Sequence, residues 1–234
     1  MELRKRAIVI TGATGGMGQD LCRALAGEGA RLAVCGGQKE KVALLQQNLE
    51  KEFQAEVYGD SVDVTKEEQV EKFLKEAYRR FGVLHALINL AGLSIPGQIM
   101  DTDEEVYDKL MDVNVKGIFL MSKHFVTYTG EGAQVINMGS MAGRRVNANA
   151  PLYCMAKAAV NTMSQGMAMQ LAERKIRVTT LNPGGVDTPF WGDRPVKREK
   201  LLQPQDITNM VLFVLETDPR VAIHSIDFES VQMV

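Results

Sequence analysis

Residues 7–18 read AIVITGATGGMG, and this stretch decides the fold. It opens with a short apolar run rich in β-branched residues, 7–10, which predicts a buried strand. A glycine-rich turn follows from Thr11, and the next residues, QDLCRALAGEG, have the composition of a helix. A strand that passes through glycines into a helix presents free N–H groups and the positive end of the helix dipole to an anion. The stretch therefore predicts a phosphate-binding turn at the start of an α/β sheet.

The glycines of this turn have separate tasks. Gly12 allows a tight turn, while Gly16 and Gly18 permit the close approach of a pyrophosphate and of the helix to the sheet. Three residues separate Gly12 from Gly16, so the spacing differs from the usual G-x-G-x-x-G.

Short β-branched runs alternate with longer stretches of helical character along the chain. Several of the runs are apolar without alternation, as expected for strands covered on both faces. Strands that alternate with helices predict an open parallel sheet with helices on both faces. The seven predicted strands are residues 7–10, 31–35, 56–62, 84–89, 133–138, 176–181 and 221–228.

Two helix starts are predicted from capping-box spacing, in which a Ser or Thr precedes a Glu by three residues. Thr65 with Glu68 and Thr102 with Glu105 have this spacing. The helix that starts at Thr65 is expected to end near Gly82. Residues 189–203 are rich in charge and proline without clear periodicity, and we predict a substrate loop there.

Composition and charge limit the kind of protein. The chain has 234 residues, a formal net charge of -2 and 24% charged residues mixed along its length. This length suits one α/β domain, and no repeat or linker divides residues 1–234. No basic surface is indicated, which argues against nucleic acid as a partner. No apolar run approaches membrane-spanning length, so no membrane partner is expected.

The cysteines and the N-terminus predict a compartment. Cys22, Cys35 and Cys154 are odd in number and have no metal-ligand spacing, which fits free thiols in a reducing environment and no bound metal. MELRKR leads into an apolar run too short for a signal peptide. We therefore expect a cytoplasmic protein.

The turn and five further motifs resemble the short-chain dehydrogenase/reductase family. They occur in the family's order along essentially the whole chain, which is far more specific than a lone Y-x-x-x-K. The motifs are TGxxxGxG at residues 11–18, N-L-A-G at residues 89–92, Asn114 within D-V-N-V-K-G, Ser140, Tyr153 with Lys157 in Y-x-x-x-K, and P-G-G-V-D-T at residues 183–188.

The resemblance implies a fold and an activity. The fold is a single-domain Rossmann fold over residues 1–234, a doubly wound parallel sheet of seven strands with helices on both faces. The activity is hydride transfer between a nicotinamide cofactor and a carbonyl or secondary alcohol of a small substrate. The catalytic residues implied are Asn114, Ser140, Tyr153 and Lys157. The cofactor contacts expected are Gly12, Thr14, Gly15, Gly16, Met17, Gly18, Gly37, Asp63, Val64, Asn89, Ala91, Gly92, Tyr153, Lys157, Pro183, Gly184, Val186 and Thr188. Asp63 serves equally well as a helix-start acid.

Tyr153 and Lys157 have a spacing that suits proton transfer. Four residues apart on a helix, both side chains lie on one face. A free phenol has a pKa of about 10, and a neighbouring ammonium lowers it by favouring the phenolate. We therefore expect Lys157 to lower the pKa of Tyr153. By resemblance, Lys157 also binds the nicotinamide ribose, Asn114 holds a water, and Ser140 donates a hydrogen bond to the substrate oxygen.

The chain departs from the family pattern at three places. Leu90 replaces the second asparagine of N-N-A-G. His85 stands where the family often has Asp, and we interpret it as a structural strand residue. The C-terminal VAIHSIDFES lacks the T-G-Q…D-G-G ending and resembles members with a plain last strand.

The end of the second predicted strand sets the cofactor preference, because the adenosine ribose lies there. Gly36 and Gly37 supply neither the carboxylate of many NAD enzymes nor the arginine of many NADP enzymes. Lys39 and Lys41 follow at a helix start, with Glu40 opposing them. We expect NADP(H) to be favoured, with NAD(H) possible.

The substrate is left open. Arginines 144, 145 and 194, asparagines 147 and 149, and Trp191 line a polar pocket in one interpretation and are solvated surface in the other. A small carbonyl or alcohol is expected, with a 3-oxoacyl thioester as the alternative. A non-catalytic NAD(P)-sensing protein is a candidate of another class, which the complete catalytic set disfavours.

The family's usual assembly implies a homotetramer or homodimer. The helical segments 104–128 and 153–173 carry small and apolar residues suited to pairing. The residues concerned are Ala156, Ala158, Ala159, Met163, Met167 and Met169.

Overall fold

A seven-stranded parallel sheet forms the centre of the computed structural model, which describes residues 3–233 of the chain. The strand order is β3-β2-β1-β4-β5-β6-β7, with every neighbouring pair parallel. The strands are β1 (Ala7–Thr11), β2 (Arg31–Gly36), β3 (Val57–Ser61), β4 (Leu84–Asn89), β5 (Thr129–Met138), β6 (Arg177–Pro183) and β7 (Ser225–Phe228). All seven predicted strands and the doubly wound α/β class are confirmed.

Helices cover both faces of the sheet. They are α1 (Gly16–Gly27), α2 (Lys39–Phe53), α3 (Glu67–Phe81), α4 (Glu104–Met111), α5 (Gly117–Phe125), α6 (Pro151–Leu171) and α7 (Pro204–Glu216). Helices α1, α2 and α7 pack against one face, and α3, α5 and α6 pack against the other.

Both faces of β1 are buried, which explains its unbroken apolar run. Ile8 and Ile10 belong to the core under α1, α2 and α7, whereas Ala7 and Val9 belong to the core under α3, α5 and α6. Successive side chains of a strand point to opposite faces, so a strand covered twice needs apolar residues at every position.

His85 supports the strand architecture, as interpreted from the sequence. Its Nδ1 accepts a hydrogen bond of 3.1 Å from the Ala7 N–H. The two residues sit at the start of β4 and β1, so the imidazole joins adjacent strands at the end of the sheet opposite the glycine-rich turn.

The two predicted capping boxes are wrong. Helix α3 begins at Glu67 and α4 begins at Glu104, each without a side-chain cap among the described residues. The Thr65 hydroxyl donates instead to Asp63, and the Thr102 hydroxyl donates to the Gln98 carbonyl. Both threonines close local turns before the helix, so their oxygens do not accept the helix N–H groups. The predicted end at Gly82 is confirmed, with a φ of +69° there.

The strand order places a topological switch point between β1 and β4, since the chain leaves β1 for opposite sides of the sheet. Ligands of open α/β sheets bind beyond the carboxyl ends of the strands at such a point. Among the described residues, no helix has both the length and the apolar character needed to cross a bilayer.

Candidate active site

Backbone contacts shape the glycine-rich turn between β1 and α1. Gly12 has a φ of +64°, and a Cβ on it would lie 2.7 Å from the Ala91 nitrogen. A Cβ on Gly18 would lie 2.4 Å from the Gly12 oxygen. Only glycine fits these two positions, because any side chain would collide with backbone that has no room to move.

Helix α1 directs N–H groups toward the space beside this turn. It begins at Gly16 after Gly15, and no side chain of the described residues caps it. The Gly15 N–H bonds to the Gly12 carbonyl within the turn, and Gln19 is the first residue of the helix whose N–H bonds to a carbonyl of the turn, that of Gly15. The N–H groups of residues 16–18 therefore form a site suited to an anion.

Two contacts tie the end of β4 to its neighbouring strands. The Asn89 amide donates to Asn137 Oδ1 at 2.9 Å, and the Ala91 N–H donates to the Thr11 hydroxyl at 3.1 Å. Asn89 is fully buried, and its Oδ1 has no hydrogen-bond partner within residues 3–233. These contacts hold N-L-A-G against β1, although Leu90 replaces the family's second asparagine.

Ser140 follows β5 and is fixed by its main chain and its side chain. Its N–H donates to Asn182 Oδ1 at 3.1 Å, and its hydroxyl oxygen accepts from the Ala142 N–H at 3.1 Å. The Ser140 side chain also interacts with the phenol of Tyr153, which by itself lowers the pKa of that phenol. The structure thus brings Ser140 and Tyr153 together, as the sequence motifs predict.

Lys157 lies one turn after Tyr153 on α6 and is buried. Its Nζ donates to the Met138 carbonyl at 2.8 Å and lies 5.7 Å from the centroid of the Tyr153 ring. A Cβ on Gly92 would lie 3.5 Å from this Nζ, so the N-L-A-G turn closes over the ammonium group.

Asn114 lies in a π-helical turn, Asp112–Lys116, between α4 and α5. It is fully buried, and its amide donates to the Leu93 carbonyl at 2.8 Å and to the Leu110 carbonyl at 2.9 Å. Its Oδ1 would lie 2.9 Å from a Cβ on Gly92. The side chain therefore fixes the segment after β4, and π-turns of this kind occur frequently at functional sites.

The expected lowering of the Tyr153 pKa is wrong for this structure. Burial raises the pKa of Tyr153 to about 12, although the Ser140 hydrogen bond and the Arg194 charge oppose it. Burial also lowers the pKa of Lys157 to about 8. The predicted placement of both side chains on one side of α6 is correct. However, the Lys157 Nζ lies beside the Tyr153 ring and donates to the Met138 carbonyl. The loss of water around the phenol therefore has the largest effect on the pKa of Tyr153.

The segment after β6 folds back over the glycine-rich turn. A Cβ on Gly16 would lie 2.8 Å from the Thr188 methyl carbon. Val186 pairs with Leu202, and its carbonyl accepts from Trp191 Nε1 at 2.7 Å. The predicted substrate loop, 189–203, is thus anchored to the end of β6 at both of its ends.

Arg144 and Arg145 form ion pairs with carboxylates in β7 and directly after it. Arg144 forms an ion pair of 3.0 Å with Asp227, and Arg145 pairs with Glu229. The sequence did not decide whether these arginines line a pocket or lie on the surface. In the structure, each forms an ion pair with a carboxylate.

The predicted adenosine side of the site lies at the ends of β2 and β3. Val64 is buried, and Gly37 is exposed with no heavy atom within 4 Å of the place where a Cβ would stand. Asp63 is exposed, and its Oδ1 accepts from the N–H of Thr65 at 2.9 Å. Asp63 therefore closes a local turn before α3, which begins at Glu67 without a side-chain cap from the described residues, and its adenine contact stays a prediction.

A cavity of about 620 Å³ lies at the carboxyl ends of the central strands. Nine of the predicted site residues line it: Met17, Gly92, Ser140, Tyr153, Lys157, Pro183, Gly184, Val186 and Thr188. The other predicted residues do not line this cavity. One group lies in the glycine-rich turn or near the end of β4: the remaining glycines of the turn, Asn89, Ala91 and Asn114. The other group lies after β2 and β3: Gly37, Asp63 and Val64.

Sequence reasoning missed two residues of this site. Asn182 is fully buried and accepts the Ser140 N–H, and Glu229 lines the cavity while paired to Arg145. Asn182 directly precedes the P-G-G-V-D-T motif and could have been noticed as a polar residue inside an apolar strand. Glu229 carries no sequence signal, since it meets Arg145 only through the pairing of β6 with β7.

Comparisons with known proteins agree with this geometry. Residues 6–199 match the family model described as short chain dehydrogenase. An uncharacterized oxidoreductase of Staphylococcus saprophyticus is 31% identical over 228 residues, 97% of either chain, and one of Staphylococcus aureus is 33% identical over 226 residues, 96% of either chain. The chain therefore belongs to the short-chain dehydrogenase/reductase family of oxidoreductases.

A solved structure gives the same result for the fold. An alcohol dehydrogenase from the archaeon Thermococcus sibiricus, complexed with 5-hydroxy-NADP, is 29% identical to this chain. The match covers 97% of each chain, with a TM-score of 0.89. The nearly complete coverage means that the two chains share this fold over almost their whole length.

Proposed function

We propose that this protein is an NAD(P)-dependent dehydrogenase or reductase that interconverts a carbonyl and a secondary alcohol of a small substrate. One observation carries the proposal. Ser140, Tyr153 and Lys157 meet in a single cavity beside the glycine-rich turn, at the switch point of a doubly wound sheet. This arrangement supports a dinucleotide site and a proton donor in the same place.

The turn fits a dinucleotide by its own geometry. Gly12 and Gly18 leave no room for a Cβ, and the uncapped N–H groups of residues 16–18 suit a pyrophosphate. The residues that would hold the cofactor are those predicted from the sequence, from the turn at one end to Val186 and Thr188 at the other. When bound, the cofactor supplies or accepts the hydride.

The side chains around the cavity divide the remaining work. Ser140 donates a hydrogen bond to the substrate oxygen and holds it near the phenol of Tyr153. Tyr153 donates its proton to that oxygen as negative charge develops there during reduction, and takes it back during oxidation. Lys157 and Asn114, which face each other across Gly92, restore the proton from solvent.

The raised pKa of Tyr153 determines which of its two forms, phenol or phenolate, is present at neutral pH. A phenol with a pKa of about 12 is fully protonated at neutral pH, which suits the donor in carbonyl reduction. Alcohol oxidation needs the phenolate, which burial disfavours. We therefore propose that Tyr153 is in its proton-donating form at neutral pH, ready for the reaction in the direction of reduction.

We propose NADP(H) as the preferred cofactor. No carboxylate stands at Gly36 or Gly37, and the space at Gly37 is open. Lys39 and Lys41 are exposed at the start of α2, where they and the helix dipole favour a 2′-phosphate.

We further propose a cytoplasmic location. The three cysteines are buried free thiols, as expected in a reducing compartment.

A spectrophotometric panel tests the function. The purified protein would be mixed with NADPH or NADH and a series of ketones, and with NADP⁺ or NAD⁺ and the matching alcohols. We expect loss of nicotinamide absorbance with some ketones at neutral pH. Cofactor binding without turnover of any carbonyl or alcohol would refute the proposal in favour of a sensing role.

A further inference from the structure

The charged side chains around the cavity are predominantly basic. Among the described residues that line it, Arg145, Lys157 and Arg194 are positive and Glu229 alone is negative. A cavity whose wall carries excess positive charge concentrates anions and disfavours cations. The substrate that enters is therefore expected to carry negative charge.

Two of the three cations are already engaged. Arg145 pairs with Glu229, and the Lys157 ammonium donates to the Met138 carbonyl. Arg194 forms no ion pair with any carboxylate of the described residues. Arg194 and Lys157 are thus the two cations of this wall that no carboxylate of the described residues compensates, and of the two only Arg194 has no part in the proposed proton transfer.

Arg194 is held in one orientation by its own loop. Its Nε donates to the Trp191 carbonyl at 2.8 Å, and its Nη2 donates to the Phe190 carbonyl. The guanidinium carbon lies 4.9 Å from the Trp191 ring centroid and 5.2 Å from the Phe190 ring centroid. These contacts fix the plane of the guanidinium group and leave Nη1 for a ligand.

Arg194 lies close to the site of proton transfer. The Phe190 ring on which it packs is 6.1 Å from the Tyr153 ring, centroid to centroid. Its charge is also near enough to the Tyr153 phenol to oppose the rise of the phenol's pKa. A substrate whose oxygen meets Tyr153 therefore lies within reach of Arg194.

We propose that Arg194 binds a carboxylate of the substrate, so that the protein acts on oxo and hydroxy carboxylates rather than on neutral ketones and alcohols. This inference rests on the proposed function and names its substrate class. A fixed guanidinium group with free donors is the arrangement that proteins use for carboxylates. The rings of Phe190 and Trp191 provide an apolar wall for the carbon chain between the carboxylate and the carbonyl.

The test compares acids with their methyl esters, which keep the carbonyl and remove the charge. The probes are 2-, 3- and 4-oxopentanoate and the three esters, with NADPH as reductant. We expect wild-type protein to prefer at least one acid over its ester in kcat/KM. Arg194→Gln should lower that preference about 10- to 100-fold, because a charge-assisted hydrogen bond is lost. The melting temperature and the NADPH Kd of the variant should stay close to those of wild type, which shows that it is folded.

Two further variants separate the contact from general electrostatics. Lys197→Gln removes the same charge from an exposed position of the same loop, and we expect it to leave the preference unchanged. Arg194→Lys keeps the charge without the planar fork, and we expect an intermediate preference. An equal loss in Lys197→Gln and Arg194→Gln would overturn the proposed contact.

A binding measurement gives a readout without turnover. Trp191 is the single tryptophan of the chain and packs on Arg194, so its fluorescence should respond to pentanoate but not to pentanamide. The response should vanish in Arg194→Gln. Preference for esters over acids in wild type would refute the inference and leave the oxidoreductase function intact. A rise of more than about tenfold in the NADPH Kd of Arg194→Gln, with the acid preference unchanged, would assign Arg194 to the cofactor's pyrophosphate instead.

Discussion

At the scale of single residues, the pair Tyr153 and Lys157 shows what the sequence predicts and what only the folded structure reveals. The Y-x-x-x-K spacing correctly predicts that Tyr153 and Lys157 share one side of α6. It cannot predict that Lys157 Nζ turns to the Met138 carbonyl, since β5 contacts α6 only after the sheet has formed. The predicted partnership is therefore correct, and the predicted direction of the pKa of Tyr153 is wrong.

Asn182 is expected to position Ser140 without touching the substrate. Its Oδ1 accepts the Ser140 N–H, and its amide donates to Asp227 at 2.8 Å and to Asn161 at 3.0 Å. Asn182→Ala should lower the free energy of unfolding by about 1–3 kcal/mol, because buried partners lose their hydrogen bonds. It should also lower kcat more than it raises KM, as the Ser140 hydroxyl loses its fixed position.

Asn161→Ala is the matched control for this variant. It removes one acceptor of the same network and leaves the bond between Asn182 and the Ser140 N–H. Denaturant unfolding and steady-state kinetics of both variants would be compared. Equal losses of kcat at equal stability would show that Asn182 acts only through the fold.

Lys157 should set the upper limit of the pH profile for reduction. Its pKa is lowered to about 8 by burial, whereas that of Tyr153 is raised to about 12. The ammonium form therefore dominates below pH 8 and is lost above it, while the phenol keeps its proton throughout. We expect kcat/KM for reduction to be level from about pH 6 and to fall above about pH 8. A profile that stays level to pH 10 would contradict the role given to the Lys157 charge.

At the scale of elements, the sequence predicted which segments form strands and helices better than where helices begin. Apolar runs of β-branched residues located the inner strands, because burial on both faces demands them, whereas the edge strands β3 and β7 are only partly buried. The helix starts failed since Thr65 and Thr102 satisfy local turns, while the capping box that does form joins Gln203 and Asp206 before α7. Gln at the first position lies outside the usual pattern. Strand β5 starts at Thr129, earlier than predicted. Its first residues include two glycines, so they lack the apolar β-branched pattern by which strands are predicted.

The end of β2 is where the cofactor preference can be reversed. A Cβ at Gly37 would meet no heavy atom within 4 Å, so we expect the fold to accept Gly37→Asp without loss of stability. The new carboxylate would repel a 2′-phosphate and bind a 2′-hydroxyl. We expect the ratio of kcat/KM for NADPH to that for NADH to fall by about tenfold or more. An unchanged ratio, with thermal stability preserved, would place the ribose elsewhere.

At the scale of the whole molecule, α6 has a face that the protomer does not cover. Met155 is 41% exposed and Met169 is 81% exposed, and Ala158 between them is also exposed. Ala156, which the sequence grouped with these residues, is instead fully buried in the protomer. The expected homotetramer or homodimer therefore has a narrower candidate surface than the sequence suggested, and it remains a prediction.

Gly166→Arg tests this surface. Gly166 lies between Ala158 and Met169 on the helix, and the space beside it is open. The protomer should gain stability, since glycine costs about 1 kcal/mol in a helix interior, while association across α6 should be lost. Light scattering of wild type and variant would measure this. A wild-type monomer at working concentration, or an oligomer unaffected by Arg at this position, would contradict the assignment.

The central claim is that Tyr153 carries the proton of a hydride-transfer reaction, and Tyr153→Phe tests it most directly. Phe keeps the ring and its packing beside Phe190 and deletes only the hydroxyl group. The measurement pairs the NADPH Kd with kcat for a carbonyl substrate that the wild type reduces. We predict a Kd within a few fold of wild type and a kcat lower by about 100- to 10,000-fold. A variant that binds NADPH normally and reduces the substrate at nearly the wild-type rate would contradict the account.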